Sequence, residues 1–307
     1  MPANLEKIYD LIVIGAGPAG LGASIYASRY KIDHIVIGEE PGGQVVEASK
    51  IENWPGEKSI QGKDLMDKFI DQAKSLGGEI IQYSVEKVEK SEDGFSVYSG
   101  GNIYKARTVI FALGMKPRKM NIPGEDKFIG KGISYCATCD ASFFRGKDVA
   151  VLGGGDAAAM AAVNLSDFAD KVYLLHREEV NWNPSRQQEM EKNPKIELIV
   201  SESIKELKGE NHLEGIVCDS KGEQKNLAVQ GLFVEIGSVP GVAIVKGLGV
   251  EVDEQNYIKV DQTQATNVEG VWAAGDATTG SNKFRQIITA AAEGAVAAGS
   301  VYKKLKL

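Results

Sequence analysis

Apolar residues in this chain fall into short unbroken runs closed by glycine, and that arrangement occurs twice. Residues 8–14 read as a buried strand, Gly15-Ala16-Gly17-Pro18-Ala19-Gly20 as a tight turn, residues 21–29 as a helix, and Ile35-Val36-Ile37 as a second strand. This predicts a βαβ unit whose helix starts near Pro18 and aims its amides and dipole at the glycine turn. The pattern restarts with a strand over 148–152, the turn Gly153-Gly154-Gly155-Asp156-Ala157-Ala158, an alanine-rich helix over 157–165 and a strand over 171–175. Two such units predict two nucleotide-binding folds.

Residues 77–109 alternate in short segments with turns at Gly94 and Gly100-Gly101, as a small antiparallel insertion does, and residues 196–233 repeat that texture. Gly270-Val271-Trp272-Ala273-Ala274-Gly275-Asp276 reads as a strand ending at a small-residue turn and an acid, with a helix over 286–304 behind it. These late elements complete the first domain if the second is inserted into it. The expected fold is therefore α/β, with two Rossmann-like, three-layer ββα dinucleotide-binding domains. The first spans 1–114 and 247–307 and the second 115–246, with crossings near Lys116-Pro117-Arg118 and Pro240-Gly241.

A length of 307 residues agrees with two domains, and 35 basic against 42 acidic residues, a formal charge of −7, excludes a general nucleic-acid surface. The start of the chain is polar, and the apolar run over 11–14 is too short for a signal or a membrane span. No membrane association and a cytoplasmic location are expected. Three cysteines do not make a disulfide scaffold, so in a reducing compartment a Cys-x-x-Cys reads as catalytic or metal-binding. Zinc needs two more ligands; Cys218 stands alone and the three histidines are scattered, so no metal is expected.

The redox candidate is Cys136-Ala137-Thr138-Cys139-Asp140, which lies between the two glycine turns. Two thiols at this spacing exchange with a partner disulfide by thiolate attack, a mixed intermediate, and resolution by the second thiol. Glu39, 24 positions after Gly15, is placed to accept hydrogen bonds from an adenosine ribose, with Glu40 competing for that role. Gly42-Gly43-Gln44 permits close backbone approach to a flat cofactor.

Taken together, Gly15 to Gly20, Gly42-Gly43-Gln44, Glu52-Asn53-Trp54-Pro55-Gly56, Cys136 to Asp140, Gly153 to Gly155, Gly231-Leu232-Phe233-Val234, Gly275-Asp276 and Arg285-Gln286 resemble the low-molecular-weight, flavin-dependent thioredoxin reductases. The resemblance covers nearly the whole chain. It implies FAD in the first domain, held by Gly15, Gly17, Pro18, Ala19, Gly20, Glu39, Gly42, Gly43, Gln44, Asn53, Ala112, Gly114, Gly275, Asp276, Arg285, Gln286 and Ile287. It also implies a homodimer that reduces thioredoxin. In that family Cys139 would face the flavin, Cys136 would attack thioredoxin's disulfide, and Asp140 would move a proton to the leaving thiolate; capping the next turn is the plainer role for Asp140.

The chain departs from the family where NADPH users carry His-Arg-Arg and a further arginine for the 2′-phosphate. His176-Arg177-Glu178-Glu179-Val180-Asn181-Trp182 keeps one arginine of three. Two missing charge-assisted contacts weaken binding by about 3–6 kcal/mol, on the order of a hundredfold to ten-thousandfold. Met160 replaces a glutamate common in those relatives. On motifs alone, the chain resembles most the ferredoxin-linked flavin thioredoxin reductases, whose nucleotide motifs are similarly eroded. A conventional NADH- or NADPH-dependent thioredoxin reductase is the next reading, NADH or relaxed NAD(P)H specificity being suggested because Glu178 lies 25 positions after Gly153 and suits a ribose 2′-hydroxyl. A ferredoxin would need a basic docking face, for which Lys116, Arg118 and Lys119, or Lys303, Lys304 and Lys306, are candidates. A non-catalytic redox sensor is opposed by the intact Cys136 and Cys139. His176 and Trp182 are expected to pack in the phosphate pocket, or Trp182 to serve as a loop anchor.

Overall fold

The computed structural model describes residues 7–48, 51–201, 203–220 and 222–306. Residues 1–6, part of the polar start behind the expected cytoplasmic location, lie outside the described residues. The chain forms two compact units, Met1–Lys116 with Val239–Leu307, and Pro117–Ser238.

β1 (Ile8–Ile14) is buried on both faces. Leu11 and Val13 point into an alanine-rich helical layer, and Ile12 and Ile14 into a second apolar layer opposite. That two-sided burial explains why the strand reads as an apolar run rather than an alternation. α1 (Pro18–Arg29) follows, then β2 (His34–Ile37), parallel to β1 with Ile14 opposite Ile37. α2 (Gly62–Ser75) buries Leu65, Met66, Phe69 and Ala73, a stripe at helical spacing, and leads to β3 (Glu79–Ile81) on the sheet edge. The meander β4 (Val85–Ser91), β5 (Gly94–Ser99) and β6 (Asn102–Phe111) is antiparallel, as its glycine turns predict. β6 also runs parallel to β1, with Phe111 opposite Ile14. β7 (Met115–Pro117) ends this first stretch.

The inserted unit repeats the plan. After α3 (Glu125–Phe128), β8 (Ile133–Ser134) and the short α4 (Ala137–Asp140) come β9 (Asp148–Leu152), α5 (Asp156–Ser166), β10 (Lys171–His176), α6 (Pro184–Lys192) and β11 (Ile196–Val200). β12 (Ser203–Lys208), β13 (Gly215–Ser220) and β14 (Glu223–Leu227) make an antiparallel sheet, and β15 (Gly231–Val234) returns to the main one. The parallel order is β11-β10-β9-β15-β8. Ala158, Ala162 and Leu165 of α5 cover one face, and Ile204, Ile216 and Cys218 of the small sheet cover the other. Cys218 is thus a core residue, and burial raises its thiol above the ordinary cysteine value.

The chain then passes through β16 (Ser238–Pro240), α7 (Ala243–Lys246), β17 (Val271–Ala273) and α8 (Ile287–Lys306). Val242 and Val245 pack with Val88 in the first unit, so the insertion ends at Ser238, short of the limit at 246 drawn from sequence. β17 joins β6 in parallel and α8 lies along α1, which makes the first unit discontinuous. Each unit has helix, parallel sheet and antiparallel sheet in three layers. Among the described residues, no helix is long and apolar enough to cross a membrane.

Candidate active site

In the first unit Ile14 is registered against both Ile37 and Phe111, and Phe111 against Ala273. The residues that follow, Gly15, Gly38, Ala112 and Ala274, therefore leave the sheet along one carboxyl edge, where open α/β sheets bind ligands. Gly15 has φ +112°, and a Cβ there would stand 2.1 Å from the Ala112 carbonyl oxygen. Only glycine fits so close an approach. Gly42 donates its N–H to the Ala16 oxygen at 2.8 Å, which brings the Gly42-Gly43 turn against Gly17. Gln44 Nε2 donates to the Met115 carbonyl at 3.1 Å, beyond Gly114. α1 begins at Pro18 with no acid in its first turn, leaving the N–H groups of Ala19 and Gly20 at a positive helix end. Glu39 is exposed just past β2 and accepts from the Ser84 hydroxyl, whereas the Glu40 carbonyl closes the turn by accepting from Gly43.

The late segment arrives at the same edge. The Gly275 N–H donates to Glu293 Oε2 at 2.7 Å, and the Thr278 hydroxyl donates to the same oxygen at 3.2 Å. Glu293 is buried in α8, and no sequence motif singles it out; its one signal is a lone acid inside an alanine run. Burial raises the Asp276 carboxyl above its usual range, while the Arg285 cation opposes the rise and Glu293 adds to it. Asn53 Nδ2 donates to Gln286 Oε1 at 2.9 Å, and Ile287 opens α8. Gly15, Gly17, Gly42, Gly43, Ala112 and Gly275 thus lie along one edge of the first unit, whose glycine gaps and acid-free helix start fit a dinucleotide.

In the second unit Leu152 is opposite Leu175 and Val234, and Phe233 is opposite Ser134, so Gly153, His176, Glu235 and the Cys136 segment share the corresponding edge. A Cβ at Gly153 would meet the Glu235 oxygen at 2.3 Å, the counterpart of the Gly15 approach. Cys136 and Cys139 form a disulfide with their Cα atoms 5.4 Å apart. Cys136 caps α4, its sulfur accepting the Cys139 N–H at 3.1 Å, and the Ser134 hydroxyl oxygen accepts the Cys136 N–H at 3.0 Å. Cys136 is half-buried and Cys139 exposed. Asp140 precedes a 3-10 turn over Ala141–Phe144 but makes no side-chain capping bond to it. Tyr135 donates its hydroxyl to buried Glu125, which also accepts the N–H groups of Met120 and Asn121 at 3.0 and 2.7 Å.

Past β10, Arg177, Glu178, Glu179 and Val180 are exposed, and the Asn181 N–H returns to the Gly154 oxygen at 2.9 Å. His176 and Trp182 meet edge to face at 5.0 Å, and Trp182 leans on the α5 core. A Cβ at Gly155 would touch nothing within 4 Å, so the start of α5 is open, although Asp156 accepts the Asn183 N–H there at 3.0 Å. Met160 is 48% exposed. Of the basic clusters, Lys119 is paired with Asp126, Lys304 with Glu269, and Lys306 lies over Tyr302.

A family model described as pyridine nucleotide-disulphide oxidoreductase matches residues 9–294. The thioredoxin reductase of Bacillus subtilis (strain 168) is 38% identical over 301 residues, covering 96% of this chain and 94% of that one. Among solved structures, Lactococcus lactis thioredoxin reductase superimposes with a TM-score of 0.87 at 34% identity, covering 97% of this chain and 100% of that one. A ferredoxin-flavin thioredoxin reductase from Clostridium acetobutylicum gives a TM-score of 0.54 at 32% identity, covering 97% and 98% of the two chains.

Proposed function

The chain belongs to the pyridine nucleotide-disulphide oxidoreductase family, as a flavoprotein disulfide reductase related to the thioredoxin reductases, and on that premise we propose that it reduces the disulfide of thioredoxin. The observation that carries the proposal is the Cys136–Cys139 disulfide, with Cys139 exposed and Cys136 hydrogen-bonded at its sulfur. The Cys139 N–H points at Cys136 Sγ in the disulfide, and the same bond kept in the reduced pair would stabilise a Cys136 thiolate. That thiolate attacks one sulfur of thioredoxin's disulfide and displaces the other; the Cys139 thiolate then attacks Cys136, releasing dithiol thioredoxin and restoring the Cys136–Cys139 bond. Asp140, with no capping bond to hold it, delivers a proton to the departing sulfur.

The carboxyl edge of the first unit is assigned to FAD. Gly15, Gly17, Pro18, Ala19 and Gly20 cradle its pyrophosphate, Glu39 its adenosine ribose, and Gly275 and Asp276 its ribityl-phosphate region. Gly42, Gly43, Gln44, Asn53, Ala112, Gly114, Arg285, Gln286 and Ile287 complete the wall around the ring and its flanking chain. When bound, FAD supplies the electron pair that reduces the Cys136–Cys139 disulfide. The homodimer is carried over from the same resemblance.

A reduced pyridine nucleotide is the donor we favour, which reverses the ranking that the motifs alone suggest. The second unit keeps the strand, glycine turn and open helix start of a nucleotide site, and relatives 37–40% identical over nearly the whole chain carry the plain name thioredoxin reductase. Exposed Glu178 at the end of β10 suits NADH over NADPH, since a ribose hydroxyl can donate to it and a phosphate is repelled. Ferredoxin is the second reading, supported by the Clostridium acetobutylicum likeness and the reduced arginine set. The experiment is anaerobic reduction with NADH, NADPH or photoreduced ferredoxin, following flavin bleaching and thiols on added thioredoxin. Turnover with NADH supports the proposal; turnover with ferredoxin alone replaces the donor, and no thiols with any donor removes the reductase assignment.

A further inference from the structure

Ser281, Asn282 and Lys283 are consecutive non-glycine residues with φ of 44°, 53° and 58°. L-residues enter this left-handed region singly and not in runs, so three together persist only where surrounding structure holds them. The run is pinned at both ends. Before it, the Thr279 N–H donates to the Ile258 oxygen at 2.9 Å and the Thr279 hydroxyl accepts from Val260 at 3.2 Å. After it, the Thr289 hydroxyl donates to the Phe284 oxygen at 2.7 Å. Across the run the Phe284 N–H donates to the Ser281 oxygen at 3.0 Å, and at its last residue Lys283 Nζ reaches Asp253 Oδ2 at 2.6 Å and Gln255 Oε1 at 2.8 Å and lies 4.6 Å from the centre of the Tyr257 ring.

The anchor is itself rigid. Asp253 Oδ1 accepts the N–H groups of Gln255 and Tyr257, each at 2.9 Å, and this turn adjoins the Val252–Ile258 bridge. Lys283 and Phe284 line the same hollow as Gly275, Asp276 and Arg285. The strained turn therefore leads straight into the segment assigned to the flavin, two residues before Arg285, whose cation acts on the Asp276 carboxyl.

We propose that Lys283, latched to Asp253, is a positioning residue that keeps Ser281–Lys283 left-handed and so sets Phe284 and Arg285 at the flavin site. This rests on the assignment of FAD to the first unit. Without the latch the backbone relaxes toward ordinary φ values, and the Phe284-Arg285 segment leaves its place.

The test compares wild type, Lys283→Met, Lys283→Arg and the double variant Lys283→Met/Asn282→Gly in the full-length protein, with thermal melts to confirm folding. Chymotrypsin cleavage after Phe284, which is 63% exposed, is timed in flavin-free protein; FAD affinity and the visible flavin spectrum are measured separately. Lys283→Met should cleave several-fold faster and bind FAD roughly 10-fold more weakly with an altered spectrum, the loss of one partly exposed charge-assisted contact. Arginine should restore both properties. Glycine at 282 should restore them too, because it holds positive φ without a latch. Unchanged cleavage and affinity in Lys283→Met overturn the proposal, as does a defect that Asn282→Gly leaves untouched. Should wild type bind no FAD, the cofactor assignment falls, while the cleavage comparison still decides whether Lys283 holds the turn. If Lys283→Met does not fold, Asp253→Asn removes the same latch from the other side, with the same expected and overturning results.

Discussion

Asn53 Nδ2 donates to Gln286 Oε1 at 2.9 Å, joining two side chains 233 positions apart in sequence. One comes from the loop before α2 and the other from the residue before α8, so the bond ties the two ends of the discontinuous unit beside the proposed flavin. An exposed neutral hydrogen bond is worth about 0.5–1.5 kcal/mol. Asn53→Ala and Gln286→Ala should each weaken FAD binding, and the double variant by less than the product of the two. The check is a double-mutant cycle on FAD dissociation constants. Simple additivity would show that the two residues act separately.

The cysteines differ in setting, and the difference predicts which one reaches thioredoxin. Cys136 Sγ receives the Cys139 N–H, and Cys139 receives no counterpart from Cys136 among the described bonds. Cys139→Ser should therefore trap a mixed disulfide between Cys136 and a thioredoxin that lacks its resolving cysteine and whose remaining cysteine is activated as a mixed disulfide with thionitrobenzoate, which Cys136 displaces as the free thiolate. Cys136→Ser should trap at least about 10-fold less, since the remaining thiol lacks the stabilising amide. Non-reducing gels with peptide mapping decide it; equal trapping by both variants contradicts the assigned roles.

Much of this site was legible because glycine and cysteine announce themselves locally. Gly15 and Gly153 are needed where backbone passes within van der Waals contact of the neighbouring strand's exit, and the strand-turn-helix context of each was readable from apolar runs. α2 carried a readable stripe in Leu65, Met66, Phe69 and Ala73, although no motif pointed to it. Glu293, Lys283 and Asp253 were not legible. Their roles arise from contacts made only once α8, the Gly275–Arg285 loop and the Val252–Ile258 turn come together, and nothing in the local pattern marks an acid or a lysine for such work. The end of the insertion was placed late for a similar reason: Val242 and Val245 look like any apolar pair until β4 is beside them.

Glu178 is the residue on which donor preference turns. It is exposed at the end of β10, where Arg177 is the neighbouring cation and Trp182 is committed to His176 and the α5 core. Glu178→Arg removes the acid and supplies a guanidinium for a 2′-phosphate. If a nucleotide binds here, kcat/KM for NADPH should rise about 10-fold or more, consistent with one charge-assisted contact, and that for NADH should fall. Steady-state thioredoxin reduction with each nucleotide measures the ratio. No change in either, with ferredoxin-driven turnover intact, would favour the ferredoxin reading.

His34 gives the first unit a pH dependence whose sign follows from its surroundings. It is buried on β2, its Nδ1 lies 2.9 Å from the Ile32 carbonyl oxygen, and its Nε2 lies 2.8 Å from the Ser24 hydroxyl. A carbonyl only accepts, so Nδ1 carries the proton and neutral Nε2 accepts from Ser24. Desolvation holds the imidazole below its ordinary value, outweighing the Ile32 carbonyl and the Asp33 charge, which both act to raise it. With the folded value depressed, the stabilising contribution is complete above the unfolded value of about 6.5 and is lost as pH falls through the folded value. Melting temperature should therefore drop between about pH 7.5 and pH 5.5, with a slope from this one site bounded by about 1.4 kcal/mol per pH unit. His34→Gln should lower stability at neutral pH and flatten that slope, because an amide does not titrate. Parallel curves for the two proteins would mean that another group carries the dependence.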